Sequence, residues 1–261
     1  DLNNWEDAGG SPTSDYPGQT ANDSVVFSGI ASVNCTLNVN TTVEDITMSN
    51  ASENLVLSST FTLTVSEIFT ISAGSVIVNS STGAHTLGDL TISGGTYNQP
   101  GAAITIDDLT VSGGTFSQNT SAGATVTISD SLILSSGTFT KATSTQTVTL
   151  SIFYMTGGTF TANGGTVAVT GSSFSSSAGF SQTTGTFQFK PSAATTITIN
   201  NTPTFNTLQL RNEQANAITF VISDVATGIT ANGQISCVGT TASSGFTFNT
   251  GKINAKGNLV Y

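Results

Sequence analysis

Four related segments decide the fold: DLTISGGTY (89–97), DLTVSGGTF (108–116), SLILSSGTF (131–139) and IFYMTGGTF (152–160). In each, a short alternation of apolar and hydroxyl side chains runs into a corner of small residues and then into an aromatic residue. Intervals of 19, 23 and 21 residues separate the successive aromatic residues Tyr97, Phe116, Phe139 and Phe160. A repeat of this period is typical of a solenoid, in which each unit buries its apolar face by stacking on its neighbours.

Each unit contains three short extended pieces. In the second unit these are LTVS (109–112), TFSQ (115–118) and ATVTIS (124–129). Alternation within each piece places apolar side chains on one side and Thr or Ser on the other. The sequence therefore predicts an all-β fold, a right-handed parallel β-helix with three sheets and about 21 residues per coil over residues 25–261. That span corresponds to about eleven coils.

The corner and the aromatic residue each have a physical role. Glycine allows the positive φ that a sharp turn between sheets often needs, so Gly113 and Gly114 are expected to form such a corner. The aromatic residue that follows is expected to stack on its counterpart in the next coil.

The two ends of the chain differ from the repeat. Residues 1–24 contain the single Trp, two of the five Pro and no alternation, so we expect an N-terminal cap with Trp5 as its lid. The sequence stops in mid-pattern at Tyr261, which predicts a parent protein that continues or an edge covered by another subunit. Cys35 and Cys237 fall near opposite ends of the predicted rod, too far apart for a disulfide.

Composition restricts the function. A net charge of −10 with five Lys and Arg argues against a nucleic-acid partner, because phosphate binding needs clustered basic residues. Thirteen of the fifteen acids precede residue 131, and all five basic residues follow it. No apolar run is long enough to span a membrane. The chain begins at Asp1 without Met, as a mature secreted product would.

The stretches NNWEDAGG (3–10), NDSVVF (22–27), FNTLQL (205–210) and INAKGNLV (253–260), together with the repeats, resemble the β-strand-repeat regions of large bacterial surface exoproteins and adhesins. The resemblance covers nearly the whole chain as a pattern and transfers no functional residue. It implies a secreted or cell-surface solenoid used for attachment, matrix building or display of other domains.

We expect no enzymatic activity. The single histidine, His85, is predicted to lie in an exposed turn, and no G-x-S-x-G nucleophile motif occurs. The pair Asp107 and Asp108 resembles the paired acids of polygalacturonase-like hydrolases, and two carboxylates are what glycosidic cleavage requires. The rest of that family's pattern is missing, so a polysaccharide lyase or hydrolase is the weakest alternative.

Aspartates recur before the first strand of successive units, which suggests either turn capping or a metal site. We expect no cofactor, but calcium is the alternative because it prefers oxygen ligands of this kind. The candidate calcium ligands are Asp89, Asp107, Asp108 and Asp130. Turn capping by Asp is the simpler explanation.

Threonines recur at outward positions of the third strand. The candidate ligand-binding residues are Thr105, Thr125, Thr127, Thr147, Thr149 and Thr166. Such a ladder resembles the ice-binding face of β-helical antifreeze proteins, and it would also suit a crystalline polysaccharide. The first hypothesis remains a structural or adhesive module, a stalk, matrix or filament unit that self-associates end to end or lies on a polysaccharide surface.

Overall fold

The computed structural model describes residues 17–18, 22–27, 34–58, 60–79, 83–142, 145–176, 180, 182–193, 196–214, 217–223, 228–239, 245–249 and 251–261. Within these ranges the chain is all-β, without a helix, and parallel strands stack about 21 residues apart in a β-solenoid of about 10 turns. The predicted parallel β-helix is confirmed. Most of the predicted cap, including Trp5, lies outside the described residues.

The strands form three faces, which we number in the order in which the chain visits them. Face 1 contains β1 (Ser24–Phe27), β4 (Asp45–Met48), β11 (Leu109–Val111), β18 (Ser173–Ser176), β20 (Thr196–Asn200), β23 (Ile218–Ile222) and β26 (Phe246–Asn249). Face 2 contains β2 (Asn34–Leu37), β5 (Asn54–Ser58), β7 (Ser75–Asn79), β9 (Thr96–Asn98), β12 (Thr115–Ser117), β14 (Thr138–Lys141), β16 (Thr159–Ala162), β21 (Thr204–Phe205), β24 (Ile229–Ala231) and β27 (Ile253–Ala255). Face 3 contains β3 (Thr41–Val43), β10 (Ile104–Ile106), β17 (Thr166–Val169), β19 (Thr186–Phe189), β22 (Thr207–Asn212), β25 (Ile235–Gly239) and β28 (Leu259–Val260).

Four long strands run from face 3 into face 1 of the next coil without a break. They are β6 (Leu63–Ile71), β8 (His85–Ile92), β13 (Val126–Leu134) and β15 (Thr147–Met155). The register shifts within two of the pairings that they form, between Val65 and Ile68 and between Ile128 and Ser131. A bulge of this kind bends a strand, so the third corner of these coils is a bend rather than the separate turn that the sequence suggested.

Glycine occupies the corner between faces 1 and 2 chiefly because successive coils approach each other closely there. Gly95 has the predicted positive φ of 67°, but Gly114 does not. A Cβ atom at Gly114 would lie 2.5 Å from Cγ2 of Ile92 and 2.6 Å from the carbonyl oxygen of Gly94, far inside normal contact. At Gly114 the glycine is required by this contact and not by its φ value.

The predicted aromatic stack on the inner side of face 2 is confirmed. Ring centroids are separated by 5.6 Å from Tyr97 to Phe116, 5.0 Å from Phe116 to Phe139 and 5.3 Å from Phe139 to Phe160. The interplanar angles are 4°, 6° and 9°. The rings belong to one core cluster of buried side chains that extends from Val25 to Ile235.

Face 2 is interrupted after β16, and its strands form one sheet of seven and another of three. Phe180 and Gln182 bridge the gap: Gln182 N donates to Thr204 O at 2.8 Å, and Thr204 N donates to Phe180 O at 3.3 Å. Phe180 is 5.6 Å from Phe160 with a tilt of 30°, so it continues the aromatic series in a less regular arrangement.

The cysteines lie where the repeat places them. Cys35 is in β2 and Cys237 is in β25, and both are free thiols. Nine coils of about 4.8 Å separate their rungs, a distance of about 40 Å that no disulfide spans.

Candidate binding surfaces

Threonines form a column on the outward side of face 3. The strand register aligns Thr42 with Thr64, Thr64 with Thr86, Thr86 with Thr105, Thr105 with Thr127, and Thr127 with Thr149. Successive strands of a sheet lie about 4.8 Å apart, so six threonines follow one another at that interval. Three predicted residues, Thr105, Thr127 and Thr149, therefore share one column.

A second column lies two residues earlier in each strand. Thr147 aligns with Thr166, which aligns with Thr186 and then Thr207. Thr125 belongs to this column because its neighbour Val126 pairs with Val148. The two columns are about 6.6 Å apart along the strands. Both columns carry threonine on two rungs, Thr125 with Thr127 and Thr147 with Thr149, and we call the two columns together the threonine array.

The structure brings all six predicted threonines into this array and extends it in both directions. Sequence inspection missed Thr42, Thr64 and Thr86 at one end and Thr186 and Thr207 at the other. The signal was present, since LTV (63–65) and HTL (85–87) have the same form as ITI (104–106).

The first column of threonines ends after Thr149, where an alanine and then two glutamines replace threonine. Thr149 is followed by Ala168, and then by Gln188 and Gln209, whose side chains bond each other at 2.5 Å. The first column from Thr42 to Thr149 contains no charged residue. This column presents hydroxyl and methyl groups at regular intervals. Such an arrangement is suited to a ligand whose own surface is periodic and uncharged.

Acidic side chains line the bend between faces 3 and 1, an edge that we call the acidic edge. The pair Asp89 and Asp108 occupies consecutive rungs there, and so does the pair Asp107 and Asp130, since Asp130 N donates to Asp107 O at 3.0 Å. Within the described part of the chain, no three His, Cys, Asp or Glu side chains converge as a metal site would require.

Two carboxylates at this bend, those of Asp45 and Asp108, cap the backbone of the next coil. Asp45 Oδ1 accepts from the Ile68 N–H at 3.1 Å, and Asp108 Oδ1 accepts from the Ser131 N–H at 2.9 Å and also from the Ser131 hydroxyl. Each bond satisfies an amide at a bulge or bend. This arrangement is the turn capping that the sequence offered as the simpler explanation.

His85 was predicted to lie in an exposed turn, and that prediction is wrong. His85 is the first residue of β8, is 1% exposed and aligns with Leu63 and Ile104 in the apolar column of face 3. Its Nδ1 lies 2.9 Å from the Tyr97 hydroxyl, while Nε2 has no hydrogen-bond partner among the described residues. Burial lowers the pKa of His85 to about 4 and raises that of Tyr97.

A buried polar column supports the corner between faces 2 and 3, and sequence inspection missed it. Gln99 Nε2 donates to the carbonyl oxygens of Ala102 and Thr125 at 3.0 and 2.8 Å, and Gln118 Nε2 donates to that of Ala124 at 2.8 Å. Lys141 follows in the same register and is fully buried, and burial lowers its pKa to about 8. The two glutamine side chains satisfy loop carbonyls inside the solenoid, so their role is structural.

No known family model matches the chain, and no curated protein or solved structure gives a significant match to it. The described residues contain no helix that is long and apolar enough to cross a membrane.

Proposed function

We propose that this chain is a non-enzymatic, extracellular or cell-surface module that serves as a stiff structural or adhesive rod. The observation that supports this role best is the single apolar core, continuous from Val25 to Ile235, with coil stacked on coil throughout. A solenoid of this kind transmits load along its axis through stacked parallel strands. About ten rungs at 4.8 Å give a rod about 50 Å long.

The last coil presents apolar groups to solvent. Phe248 is 45% exposed, Leu259 is 58% exposed and Tyr261 is 97% exposed, and they border a cavity with Ile235 and Ile253. Any coil that stacks on this edge, from the same polypeptide or from another molecule, would cover them. End-to-end association of rods is therefore part of the proposal.

Electron microscopy of the purified chain, with and without millimolar calcium, tests this role. We expect rods joined end to end, and we expect Leu259→Asp to leave separate rods with an unchanged circular dichroism spectrum. Ile68→Asp, at a 49% exposed apolar residue of β6 on the side of the rod, is the control and should leave the end-to-end association of rods intact. Separate short rods of the unaltered protein under both conditions would exclude self-association.

A second candidate function is binding of ice or a crystalline polysaccharide through the threonine array. The observation that favours it is the register of six threonines in a column without charge. Regular solids present hydroxyl groups at fixed intervals, so an array of fixed spacing gains many weak contacts at once. A soluble ligand would not need such a long array.

Tyrosine substitutions separate this function from the structural role. Thr127→Tyr and Thr149→Tyr place a bulky side chain on the array and are expected to abolish ice-recrystallisation inhibition or retention on cellulose and chitin. The matched control is Thr91→Tyr, at an outward threonine of face 1. Equal binding by all three variants would exclude the array as the binding surface.

A further inference from the structure

A break in the outward pattern of face 1 marks a second surface feature. The register aligns Thr47, Thr70, Thr91 and Thr110 in one outward column, and the next two positions of that column are Ile133 and Tyr154. Ser175 then restores a hydroxyl residue. The repeat therefore places two large apolar side chains where the four preceding coils place threonine.

These side chains lie together on the surface of face 1. Tyr154 is 47% exposed, and Ile133 lies beside it on the preceding coil. Ile152, two residues before Tyr154 in β15, points to the same side and is partly exposed. We call these three residues the tyrosine platform. Together they put an aromatic ring and two aliphatic side chains at the surface of one face.

Hydroxyl groups surround the tyrosine platform. Thr110 and Ser175 lie on the coils before and after it in the same column, and Ser131 aligns with Ile152. Thr156, two residues after Tyr154, is exposed. An apolar ring face bordered by hydroxyls matches the two kinds of surface on a pyranose, whose C–H face is apolar and whose edge bears hydroxyl groups.

The charges near the tyrosine platform favour a neutral ligand over an anionic one. The tyrosine platform and its hydroxyl border contain no charged residue, and the nearest carboxylates, Asp108 and Asp130, belong to the acidic edge. Anionic polysaccharides would approach these carboxylates at unfavourable energy. A neutral glycan has no such cost.

The size of the platform argues against a second protein chain. A tyrosine side chain offers about 150–250 Å² of surface, so a ring that is about half exposed contributes about 100 Å². Even with both isoleucines, the area remains far below the ~800 Å² that each partner contributes to a stable interface. One or two sugar rings are the occupant of matching size.

We propose that the tyrosine platform is a binding site for a neutral polysaccharide, with a pyranose ring stacked on Tyr154 and hydroxyl groups bonded by Thr110, Thr156 and Ser175. The site lies on face 1, apart from the threonine array on face 3. A protein that lacks this site would still form the rod. Loss of polysaccharide binding can therefore be distinguished from loss of the structural role.

Affinity electrophoresis tests the proposal, with the intact chain run through gels that contain β-glucan, xylan or mannan, and through gels with alginate or polygalacturonate. We expect retardation by at least one neutral polymer and none by the acidic ones. Tyr154→Thr restores the residue type of the repeat and should weaken binding at least about tenfold, as removal of an aromatic anchor does. Tyr154→Phe should retain binding, and Thr70→Val, at an outward threonine three rungs before Ile133 in the same column, should leave binding unchanged.

Three outcomes would overturn the proposal. The first is that no neutral polymer retards the unaltered protein. The second is that Tyr154→Thr binds as the unaltered protein does. The third is that Tyr154→Thr converts a dimer into a monomer in analytical ultracentrifugation, which would assign the platform to a second copy of the chain.

Discussion

The coils of residues 34–162 and those of residues 164–261 both stack around the apolar core, but they differ in how regular that stacking is. In the first set, paired residues of face 1 are 19 to 23 positions apart and face 2 has seven unbroken strands. The rings of Tyr97, Phe116, Phe139 and Phe160 lie in single file. In the second set the interval reaches 28 positions between Phe220 and Phe248, and face 2 has three short strands. We call these sets the regular half and the irregular half.

The difference shows what a constant coil length accomplishes. Where the length stays near 21, like residues fall on like residues, and the threonine array and the aromatic stack both result. The second threonine column continues into the irregular half through Thr166, Thr186 and Thr207. There, however, Phe174 packs edge to face against Phe187 at 82° and against Phe189 at 86°. The core is continuous in both halves, so burial sustains the solenoid and register determines its surface.

The largest expected effect comes from removing a ring of the regular half. Phe116→Ala leaves a cavity between two stacked rings and should lower the free energy of unfolding by about 3–5 kcal/mol. Phe180→Ala, in the irregular half, should cost less, about 2–3 kcal/mol, because Phe180 already borders a cavity and its neighbours can relax.

Urea denaturation followed by circular dichroism measures both values, and hydrogen exchange shows whether the loss is local to the altered coils. A solenoid can unfold in segments, so exchange rates of neighbouring strands are the more informative comparison. A greater loss for Phe180→Ala would contradict the idea that single-file stacking makes the regular half the more rigid part.

The comparison also explains what could be predicted from the sequence. The fold, the aromatic stack and the separation of the cysteines were predictable, because a period near 21 fixes which residues meet. Half of the threonine array was predictable for the same reason. Further members were also present in the sequence, since LTV (63–65) and HTL (85–87) have the same form as ITI (104–106), and the register shows that they belong to the same column.

The errors have physical causes as well. His85 was placed in a turn because the surrounding sequence STGAHTLGD (81–89) has the composition of a turn, whereas its alignment with Ile104 gives it an inward side chain. The buried column of Gln99, Gln118 and Lys141 was missed because burial of an amide depends on loop carbonyls that only the three-dimensional structure provides. The tyrosine platform was missed because an exposed aromatic residue in a strand has no local signature.

The next largest effect is a loss of stability at acidic pH, which we expect from the His85–Tyr97 pair of the regular half. The pKa of His85 is about 4 in the folded chain, below the ordinary value of 6.5, so the unfolded chain binds more protons between these two values. Protonation of His85 therefore does not lower the free energy of unfolding above about pH 6.5. As the pH drops towards 4, this free energy falls by up to about 3 kcal/mol.

The double variant His85→Leu/Tyr97→Phe removes the titrating ring without leaving a buried hydroxyl unpaired. Urea midpoints at several values between pH 4 and pH 7 should fall less steeply for this variant than for the unaltered protein. Because His85 is the single histidine, a parallel fall in both proteins would assign the acid sensitivity to carboxylates instead.

A smaller effect is expected at the glycine corner that keeps the regular coils close. Gly114→Ala introduces a Cβ atom 2.5 Å from Ile92 Cγ2 and should cost about 1–3 kcal/mol as the coils move apart. Gly123→Ala is the matched control, since its nearest contact would be 3.3 Å away and the residue is exposed. Thermal unfolding of the two variants measures the difference, and equal losses would show that coil spacing is not limited by this corner.

The smallest effect belongs to the ion pairs of the irregular half. Glu213 accepts from Lys190 at 3.0 Å and from Arg211 at 2.8 Å, and Lys190 chiefly holds the pKa of Glu213 below its ordinary value. The three side chains are 27 to 40% exposed, so solvent screens the attraction and Glu213→Gln should change the stability by about 0.5 kcal/mol or less. The difference should shrink further in 1 M salt, and Lys190→Met is the control for loss of the first partner. A change of several kcal/mol would mean that the irregular half depends on charge pairs where the regular half depends on register.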